Sequence, residues 1–335
     1  MDIKNVTLSL QNYGFNGSLA DNFTMAPYRR KSIANVIGCF TTIVIAVISV
    51  LGNAAVIAAS FWSESLRLQT GNILIVFLSI TDILTAILVM LPSAAAVMFD
   101  YWPFGWRACK AHTTFNYAFA CASSCNMAFI SFDRVIAVLY PLKYRTIISV
   151  KILIGGISFI LFQSFAVGLS GALPYWSHYD YTEGVCALDY TRNRDVFKLF
   201  HGGCFVCYYV PAIIVGICNF LIIFTAYKSG RSVKPIYVSQ NNKTQKKQKT
   251  IQKEALMSKT SKSMMFVVVT YYICFSPYAL SKEVKVCFGY DTPPVLNYFS
   301  TILIFIASVA NPFIYAILRK DYRDAFKKLP RMIAE

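Results

Sequence analysis

Long apolar runs separated by short polar segments are the dominant pattern of the chain. Seven runs carry almost no charge, and they cover residues 33–62, 73–99, 113–132, 152–177, 199–227, 264–280 and 295–318. A helix needs roughly 20 apolar residues, with about 17 as the lower limit, to cross the hydrocarbon core of a membrane. All seven runs reach that length, the sixth only just, and they are too long and continuous for the strands of a membrane barrel. We therefore predict an all-α integral membrane protein built as a seven-transmembrane helix bundle.

The polar remainder of the chain gives the predicted domain organisation. The regions are an extracellular tail at 1–32, a seven-helix domain at 33–318 with a long cytoplasmic loop at 228–263, and an amphipathic helix with a short cytoplasmic tail at 319–335. In the last region Tyr322, Phe326 and Leu329 recur at helical spacing, with Lys and Arg on the opposite face. This spacing predicts a short amphipathic helix on the membrane surface.

Composition and charge support a membrane protein, since 56% of the residues are hydrophobic and only 14% are charged. The formal net charge of +16 could suggest nucleic acid as a partner. However, about two thirds of the Lys and Arg residues lie on the side of the membrane that carries the loop 228–263, beside helix ends where they meet anionic lipid. Zinc-finger and basic-zipper spacings are missing, so a lipid membrane and no nucleic acid is predicted as partner. The positive-inside rule makes this side cytoplasmic.

The N-terminal tail agrees with that orientation. It contains three acceptor sequences for N-linked glycosylation, which begin at Asn5, Asn16 and Asn22. It lacks the apolar core of a secretory signal peptide. We therefore expect a multi-pass protein of the plasma membrane with a glycosylated, extracellular amino terminus.

The ten cysteines divide by their position relative to the membrane. Seven lie inside apolar runs, among them Cys121 and Cys207, and we expect these to be reduced and to pack as small hydrophobic residues. Cys109 lies at the start of the third run, just before residue 113, and Cys186 lies in the loop after the fourth, both on the oxidising side, so we expect a disulfide between them. Cys287 lies outside as well and has no obvious partner. No metal site is predicted from these spacings.

Asp82 is a charged residue inside an apolar run. It lies about ten residues, or about 15 Å, into the second run. A charge at this depth costs about 3 kcal/mol, which marks a functional site. Its predicted partners are the other polar residues at similar depth: Asn53, Ser123, Ser308 and Asn311. These oxygens suit a small monovalent cation, so a structural sodium ion is one prediction, and a protonated, hydrogen-bonded Asp82 is the alternative. No other cofactor is expected.

These features resemble the rhodopsin-like G-protein-coupled receptors over residues 35–329. The motifs that carry the resemblance are "LGN" at 51–53, "LSITD" ending at Asp82, "WPFGWRAC" ending at Cys109, "DRVIAVLYPLKY" from Asp133, Pro211, "CFSP" at 274–277 and "NPFIYAILRKDYRDAF" from Asn311. Each motif alone is a weak signal. Their order and spacing across seven spans make the family the preferred interpretation.

The resemblance implies a heterotrimeric G protein as the cytoplasmic partner. In this family Arg134 is expected to be held by Asp133 at rest and to meet the G protein once the sixth helix swings outward. Tyr315 is expected to turn inward in the opened state, with Pro277 as the pivot of the sixth helix. The other predicted activation residues are Asn311, Pro312 and Phe275. The last of these stands where Trp is commoner in the family.

Two features of the third cytoplasmic loop bear on regulation. Many relatives carry an acid near the start of the sixth helix that clamps the Arg, and here the position is Met257. The missing clamp predicts appreciable signalling without ligand. The loop is also rich in Ser and Thr, whereas none follows Tyr315, so phosphorylation that recruits arrestin is expected in this loop.

The outer halves of the predicted helices suggest a ligand pocket, whose predicted residues are His112, Asn116, Tyr117, Ala120, Tyr278, Lys282 and Tyr298. Amine receptors would place an Asp where Asn116 stands, which disfavours a cationic amine. The loop 175–190 is similar to that of opsins, but Phe305 occupies the position of the lysine that retinal needs. An aromatic pocket with basic groups at its mouth favours a small molecule with an acidic or polar end.

Other functions remain as alternatives. A peptide-ligand receptor of the same family is the second choice. A secondary transporter should show internal repeats and paired intramembrane charges, and the runs show neither. An enzyme is not predicted, because we find no nucleophile with a neighbouring base.

Overall fold

The structure is a computed structural model of the chain, and it describes residues 32–173, 176–189, 198, 202–203, 205–231, 266, 269–285, 287–288, 290 and 292–334. The three predicted glycosylation sites, Met257 and the Ser and Thr residues at 232–263 lie outside these residues.

The described residues form eight main helices. They are α1 Ser32–Trp62, α2 Asn72–Phe99, α3 Gly105–Leu139, α4 Val150–Ala172, α5 Val210–Arg231 with a preceding π-helical turn at Phe205–Tyr209, α6 at 269–285, α7 Pro294–Leu318 and α8 Lys320–Ala334. Six of them, α1 to α5 and α7, are long and apolar enough to cross a membrane among the residues described. Together with α6 they confirm the predicted all-α bundle of seven transmembrane helices.

Helix α8 confirms the predicted surface helix at the end of the bundle. Tyr322 and Ala325 are buried against the bundle, whereas Arg323, Lys327 and Lys328 on the opposite face are exposed. A helix with one apolar and one basic face is stable at the boundary between lipid and water. We call the end of the bundle that carries α8 the inner end, and the opposite end the outer end.

Helix α3 lies at the centre of the bundle and packs against α2, α4 and α5. Its contact with α4 depends on small residues, because a Cβ added at Gly168 would lie 2.5 Å from the carbonyl oxygen of Thr114. Phe159 and Phe162 of α4 point away from the core and are largely exposed, as a lipid-facing surface requires. Small residues between helices and large apolar residues toward lipid are typical of membrane bundles.

Helix α6 is held to its neighbours by hydrogen bonds in the bundle interior. The hydroxyls of Tyr271 in α6 and Ser124 in α3 share a hydrogen bond of 2.7 Å. Tyr272 donates to the carbonyl of Ala212 in α5 over 2.8 Å. These contacts fix the position of the helix that the family resemblance expects to move.

A short β-hairpin covers the outer end of the bundle. Strand β1, Ser177–Asp180, pairs antiparallel with β2, Val185–Leu188, and Tyr179 lies opposite Cys186. Cys186 forms a disulfide with Cys109 of α3, with a Cα–Cα distance of 5.5 Å. This confirms the predicted disulfide. Because β2 is buried along its whole length, the hairpin is part of the packed structure. We refer to residues 177–188 as the outer hairpin.

A second disulfide corrects the sequence analysis. Cys121 of α3 and Cys207 of the π-helical turn before α5 are bonded, with Cα atoms 4.6 Å apart. The prediction that both are reduced was wrong, because it used only their depth in the membrane. Depth does not show which sides of two helices are in contact. Here the packing of α3 against α5 brings the two cysteines within bonding range. Cys39, Cys125, Cys218, Cys274 and Cys287 are free thiols in the described part of the chain.

Candidate functional site

The inner end of α3 carries the Asp133–Arg134 pair. A guanidinium nitrogen of Arg134 lies 2.8 Å from Oδ2 of Asp133. Asp133 is fully buried, whereas the Arg134 side chain is 20% exposed toward the inner surface. The Tyr144 hydroxyl donates a hydrogen bond of 2.6 Å to Oδ1 of Asp133. Burial and the neighbouring Asp133 carboxylate raise the pKa of Tyr144, so the phenol keeps its proton as a donor.

The loop between α1 and α2 closes over this pair through Gly71. A Cβ added at Gly71 would lie 2.6 Å from Nη2 of Arg134 and 2.7 Å from Oδ2 of Asp133. Only glycine therefore lets the loop backbone approach the ion pair so closely. The pair is thus enclosed by α3, Tyr144 and the loop between α1 and α2, and part of the guanidinium remains exposed.

Tyr315 packs against α8. Its ring stacks on that of Tyr322 with centroids 5.5 Å apart. The Tyr322 hydroxyl donates to Asn72 of α2 and shares a hydrogen bond of 2.8 Å with Ser60 of α1. The guanidinium of Arg319 lies 4.9 Å from the centre of the Tyr322 ring. Tyr322 therefore connects α8 to α1, α2 and α7 at once.

The five predicted polar-core residues come together in the middle of the bundle. Asn311 donates to Oδ2 of Asp82 over 2.9 Å, and Asn53 donates to the carbonyl oxygen of Ser308 over 3.1 Å. Ser123 and Ser308 line the same cavity as the Asp82 carboxylate. A carboxylate with one oxygen bonded to an amide and two hydroxyls nearby is a donor set that fits a small monovalent cation.

One internal cavity connects this polar core to the predicted ligand pocket. Its lining includes Asp82 and Asn311 on the inner side and Asn116 and Ala120 on the outer side. Phe275 of α6 also lines it and stacks on Tyr271 with ring centroids 4.9 Å apart. The floor of the predicted pocket and the polar core are therefore two ends of one space.

An ion pair joins the outer hairpin to α6. Lys282 of α6 is buried and forms an ion pair with Glu183 at the hairpin turn. The Tyr278 hydroxyl donates to the other Glu183 oxygen over 3.3 Å, and the Lys282 ammonium lies 5.1 Å from the centre of the Tyr278 ring. Tyr117 of α3 lies close enough to interact electrostatically with Lys282. Three of the predicted pocket residues thus meet beneath the hairpin.

A second set of contacts ties the hairpin to α6 and α7. Asp180 accepts hydrogen bonds from the backbone and the hydroxyl of Thr182 over 2.8 and 2.6 Å, and lies 3.9 Å from Lys285. Burial alone would raise the pKa of Asp180, but Lys282, Thr182 and Lys285 outweigh it and hold that pKa below its ordinary value. Asn297 of α7 donates to the Thr182 hydroxyl over 3.1 Å.

The other two predicted pocket residues, His112 and Tyr298, also lie beside the outer hairpin, since His112 bonds to the backbone of Cys186 and a Cβ at Gly184 would lie 3.1 Å from the Tyr298 ring. Nε2 of His112 lies 3.0 Å from the Ser93 hydroxyl and 3.1 Å from the Val89 carbonyl, between α2 and α3. The Tyr298 hydroxyl lies 3.4 Å from that of Thr42 in α1. Of the seven predicted pocket residues, Asn116 and Ala120 line the cavity, and the other five do not.

Several residues of these sites were missed by the sequence analysis. Tyr144 and Tyr322 were not assigned polar roles, although a tyrosine among apolar residues keeps a hydroxyl that needs a partner when buried. Glu183 stood in the quoted opsin-like loop, but loop residues give no periodic signal for where they pack. Its pairing with Lys282 depends on the hairpin fold and could not be read from either segment alone.

A membrane-spanning seven-helix bundle with an Arg–Asp pair at its inner end and a disulfide-anchored hairpin at its outer end defines a class, the seven-transmembrane receptors. Comparison with known proteins agrees. Residues 52–315 match the family 7 transmembrane receptor (rhodopsin family), and the chain belongs to that family. It is a multi-pass membrane protein.

Individual relatives are distant. The chain is 29% identical to Melanopsin-B of Gadus morhua over 89% of its own length, and 25% identical to 5-hydroxytryptamine receptor 4 of Homo sapiens over 83%. These matches span 49% and 75% of the two relatives, so the chain covers about half of the melanopsin. Squid rhodopsin shares the fold, with a TM-score of 0.78 at 19% identity, covering 93% of this chain and 91% of that one. The peptide-receptor and transporter alternatives are not favoured.

Proposed function

We propose that the protein activates heterotrimeric G proteins in response to an extracellular small molecule. The observation that carries the proposal is the Arg134 side chain, which is partly exposed at the inner end and held by the buried Asp133. A guanidinium in this position can be released to a partner without being drawn out of the bundle core. Outward movement of α6 about Pro277 would open the surface beside it.

A ligand acts on this equilibrium only through a different affinity for the two states. Shifting a protein from 1:99 to 99:1 between them takes about 5.5 kcal/mol of differential binding. The cavity supplies a route for that coupling, because it runs from Asn116 and Ala120 past Phe275 to Asp82. A ligand at the outer side and the ion pair at the inner side therefore act on the same packed helices.

We propose that the ligand is not retinal, and that it is not an amine whose ammonium group pairs with residue 116. Asn116 lines the cavity and carries no charge. Phe305, which also lines it, stands where a Schiff-base lysine would be needed. Some relatives are named as amine receptors, and this site lacks the carboxylate with which α3 would pair an ammonium group.

A sodium ion is proposed to bind beside Asp82. Asp82, Ser123 and Ser308 would hold it, and it would supply a positive charge that stabilises the buried carboxylate. The protein is also proposed to lie in the plasma membrane with its amino terminus outside, since the outer hairpin carries the Cys109–Cys186 disulfide that an oxidising compartment favours. Arrestin is proposed to bind the phosphorylated third cytoplasmic loop.

Replacement of Arg134 tests the proposed function. Arg134→Ala should abolish second-messenger output at matched surface expression, while Arg67→Ala, an exposed arginine on the same side, should retain it. A transporter would keep its flux in both variants. Unchanged output from Arg134→Ala would contradict the proposal.

A further inference from the structure

The outer hairpin supplies the anion that a buried lysine requires. The side chains of Lys282 and Glu183 are 3% and 2% exposed, so water neutralises neither charge. Glu183 is held by Lys282 and Tyr278 together, both on α6. The anion-binding group therefore belongs to the bundle, and the anion belongs to a loop.

Glu183 and Lys282 differ in how easily each can leave the ion pair. Glu183 lies in the turn 181–184 that joins the hairpin strands, so a rearranged turn can return its carboxylate to water. Lys282 lies within α6, two helical turns outward from the cavity-lining Phe275, and cannot follow without moving that helix. A buried charge that loses its partner is strongly destabilised. Asp180 also lies near Lys282, but its carboxylate contacts Lys285 and Thr182, so a group that displaces Glu183 is best accommodated if it brings an anion of its own.

We propose that Lys282 is the anion-binding group of the ligand site and that the ligand carries a carboxylate which replaces that of Glu183. This rests on the proposed receptor function. Tyr278 donates the second hydrogen bond, and the apolar part of the ligand extends down toward Asn116 and Ala120. In the absence of ligand, Glu183 serves as a built-in occupant of the site.

The surrounding charges favour an anion over an ammonium ligand. An amine that paired with Glu183 would leave Lys282 buried beside a second cation, with Lys285 close by at the Asp180 carboxylate. Two neighbouring positive charges repel each other strongly in a medium of low dielectric constant. A carboxylate leaves the balance of charge under the hairpin unchanged.

Chemical rescue of a truncated Glu183 tests the proposal. Glu183→Ala removes the carboxylate and leaves space beside Lys282, so the purified variant should unfold at a lower temperature than the wild-type receptor. Sodium propionate should raise its melting temperature by about 3 °C or more relative to sodium chloride at the same ionic strength. Propionamide, which has the same shape without the charge, should have no effect.

Matched variants identify the group that binds the probe. Propionate should not change the melting temperature of the wild-type receptor or of the double variant Glu183→Ala/Lys282→Met. It should also not change that of the control Glu283→Ala, which removes a carboxylate from α6 next to Lys282. Equal stabilisation by propionamide, a response that persists without Lys282, or stabilisation by propylammonium instead would each overturn the proposal. If Glu183→Ala cannot be purified, solubilisation in propionate should recover folded receptor where propionamide does not, and recovery in neither would count against it.

This readout is independent of the G protein. Rescue without any nucleotide exchange would leave the carboxylate site in place and refute the proposed signalling. Nucleotide exchange that Arg134→Ala abolishes, together with a failure of propionate to rescue Glu183→Ala, would support the proposed signalling and refute the carboxylate site.

Discussion

At the scale of single residues, the contacts of the inner end converge on Asp133. Its carboxylate is fully buried, and its two oxygens face Arg134 and Tyr144. A hydrogen bond to a charged group contributes about 1.5–3 kcal/mol. Tyr144 thus stabilises the state in which Asp133 holds Arg134, although it lies in a loop outside the helix that carries the pair.

Tyr144→Phe should therefore increase signalling without ligand. If the bond is made only in the paired state, its loss raises basal nucleotide exchange about tenfold. Tyr140→Phe, an exposed tyrosine four residues earlier, is the control and should leave exchange unchanged. Purified receptor with a fluorescent nucleotide gives the rates. Basal exchange equal to the wild-type rate in Tyr144→Phe would show that the hydroxyl does not restrain Arg134.

Asp82 gives a second prediction at this scale, which concerns the proposed sodium ion. Replacing sodium with N-methylglucamine at constant ionic strength should lower the melting temperature of the wild-type receptor, since a ligand that binds only the folded state stabilises it. Asp82→Asn should remove this dependence. Sodium sensitivity that survives in Asp82→Asn would place the ion elsewhere.

At the scale of elements, the packing of α3 against α4 depends on one glycine. A Cβ at Gly168 would lie 2.5 Å from a backbone oxygen of α3, whereas one at Gly155 of the same helix would meet nothing within 4 Å. Gly168→Ala should destabilise the protein by about 1–3 kcal/mol through overpacking. Gly155→Ala should be neutral or stabilise it by up to about 1 kcal/mol, because alanine is the better helix former. Similar melting temperatures for the two variants would contradict the close contact.

The attachment of α8 depends on one hydroxyl. Tyr322→Phe keeps the stack on Tyr315 and removes the bonds to Asn72 and Ser60, which should cost about 1–3 kcal/mol by leaving buried polar atoms without a partner. Ser60→Ala should cost less in that background than in the wild-type receptor. Melting curves of the four proteins measure the coupling, with Tyr101→Phe, an exposed tyrosine, as control. Additive effects would exclude the shared hydrogen bond.

The sequence predicted those parts of the fold and site that depend on whether a residue lies in lipid or in water. Hydropathy identifies the seven apolar runs directly. Asp82 and the Asp133–Arg134 pair then stand out because charged residues are rare in or beside such runs. The Cys121–Cys207 bond, the position of His112 and the Glu183–Lys282 pair depend on which helix faces meet and on how a loop folds. Periodicity carries no information about either.

At the scale of the whole molecule, one ion pair lies at each end of the bundle. Glu183 ties the outer hairpin to α6, and Asp133 holds Arg134 at the inner end. One cavity lies in the middle of the bundle, without reaching either ion pair, and is lined by residues of α2, α3, α6 and α7. Under the proposed function, a change in α6 at the outer end would be passed to the inner surface through the helices that line this cavity.

Nucleotide exchange on purified heterotrimeric G proteins is the most direct test of this account. Receptor in nanodiscs should accelerate exchange on one or more heterotrimers without ligand, because the residue at position 257 is not an acid that could clamp Arg134. The Arg134→Ala variant, equally folded by its melting curve, should not. Exchange by the wild-type receptor at the rate of empty nanodiscs, with every heterotrimer tried, would contradict the central claim.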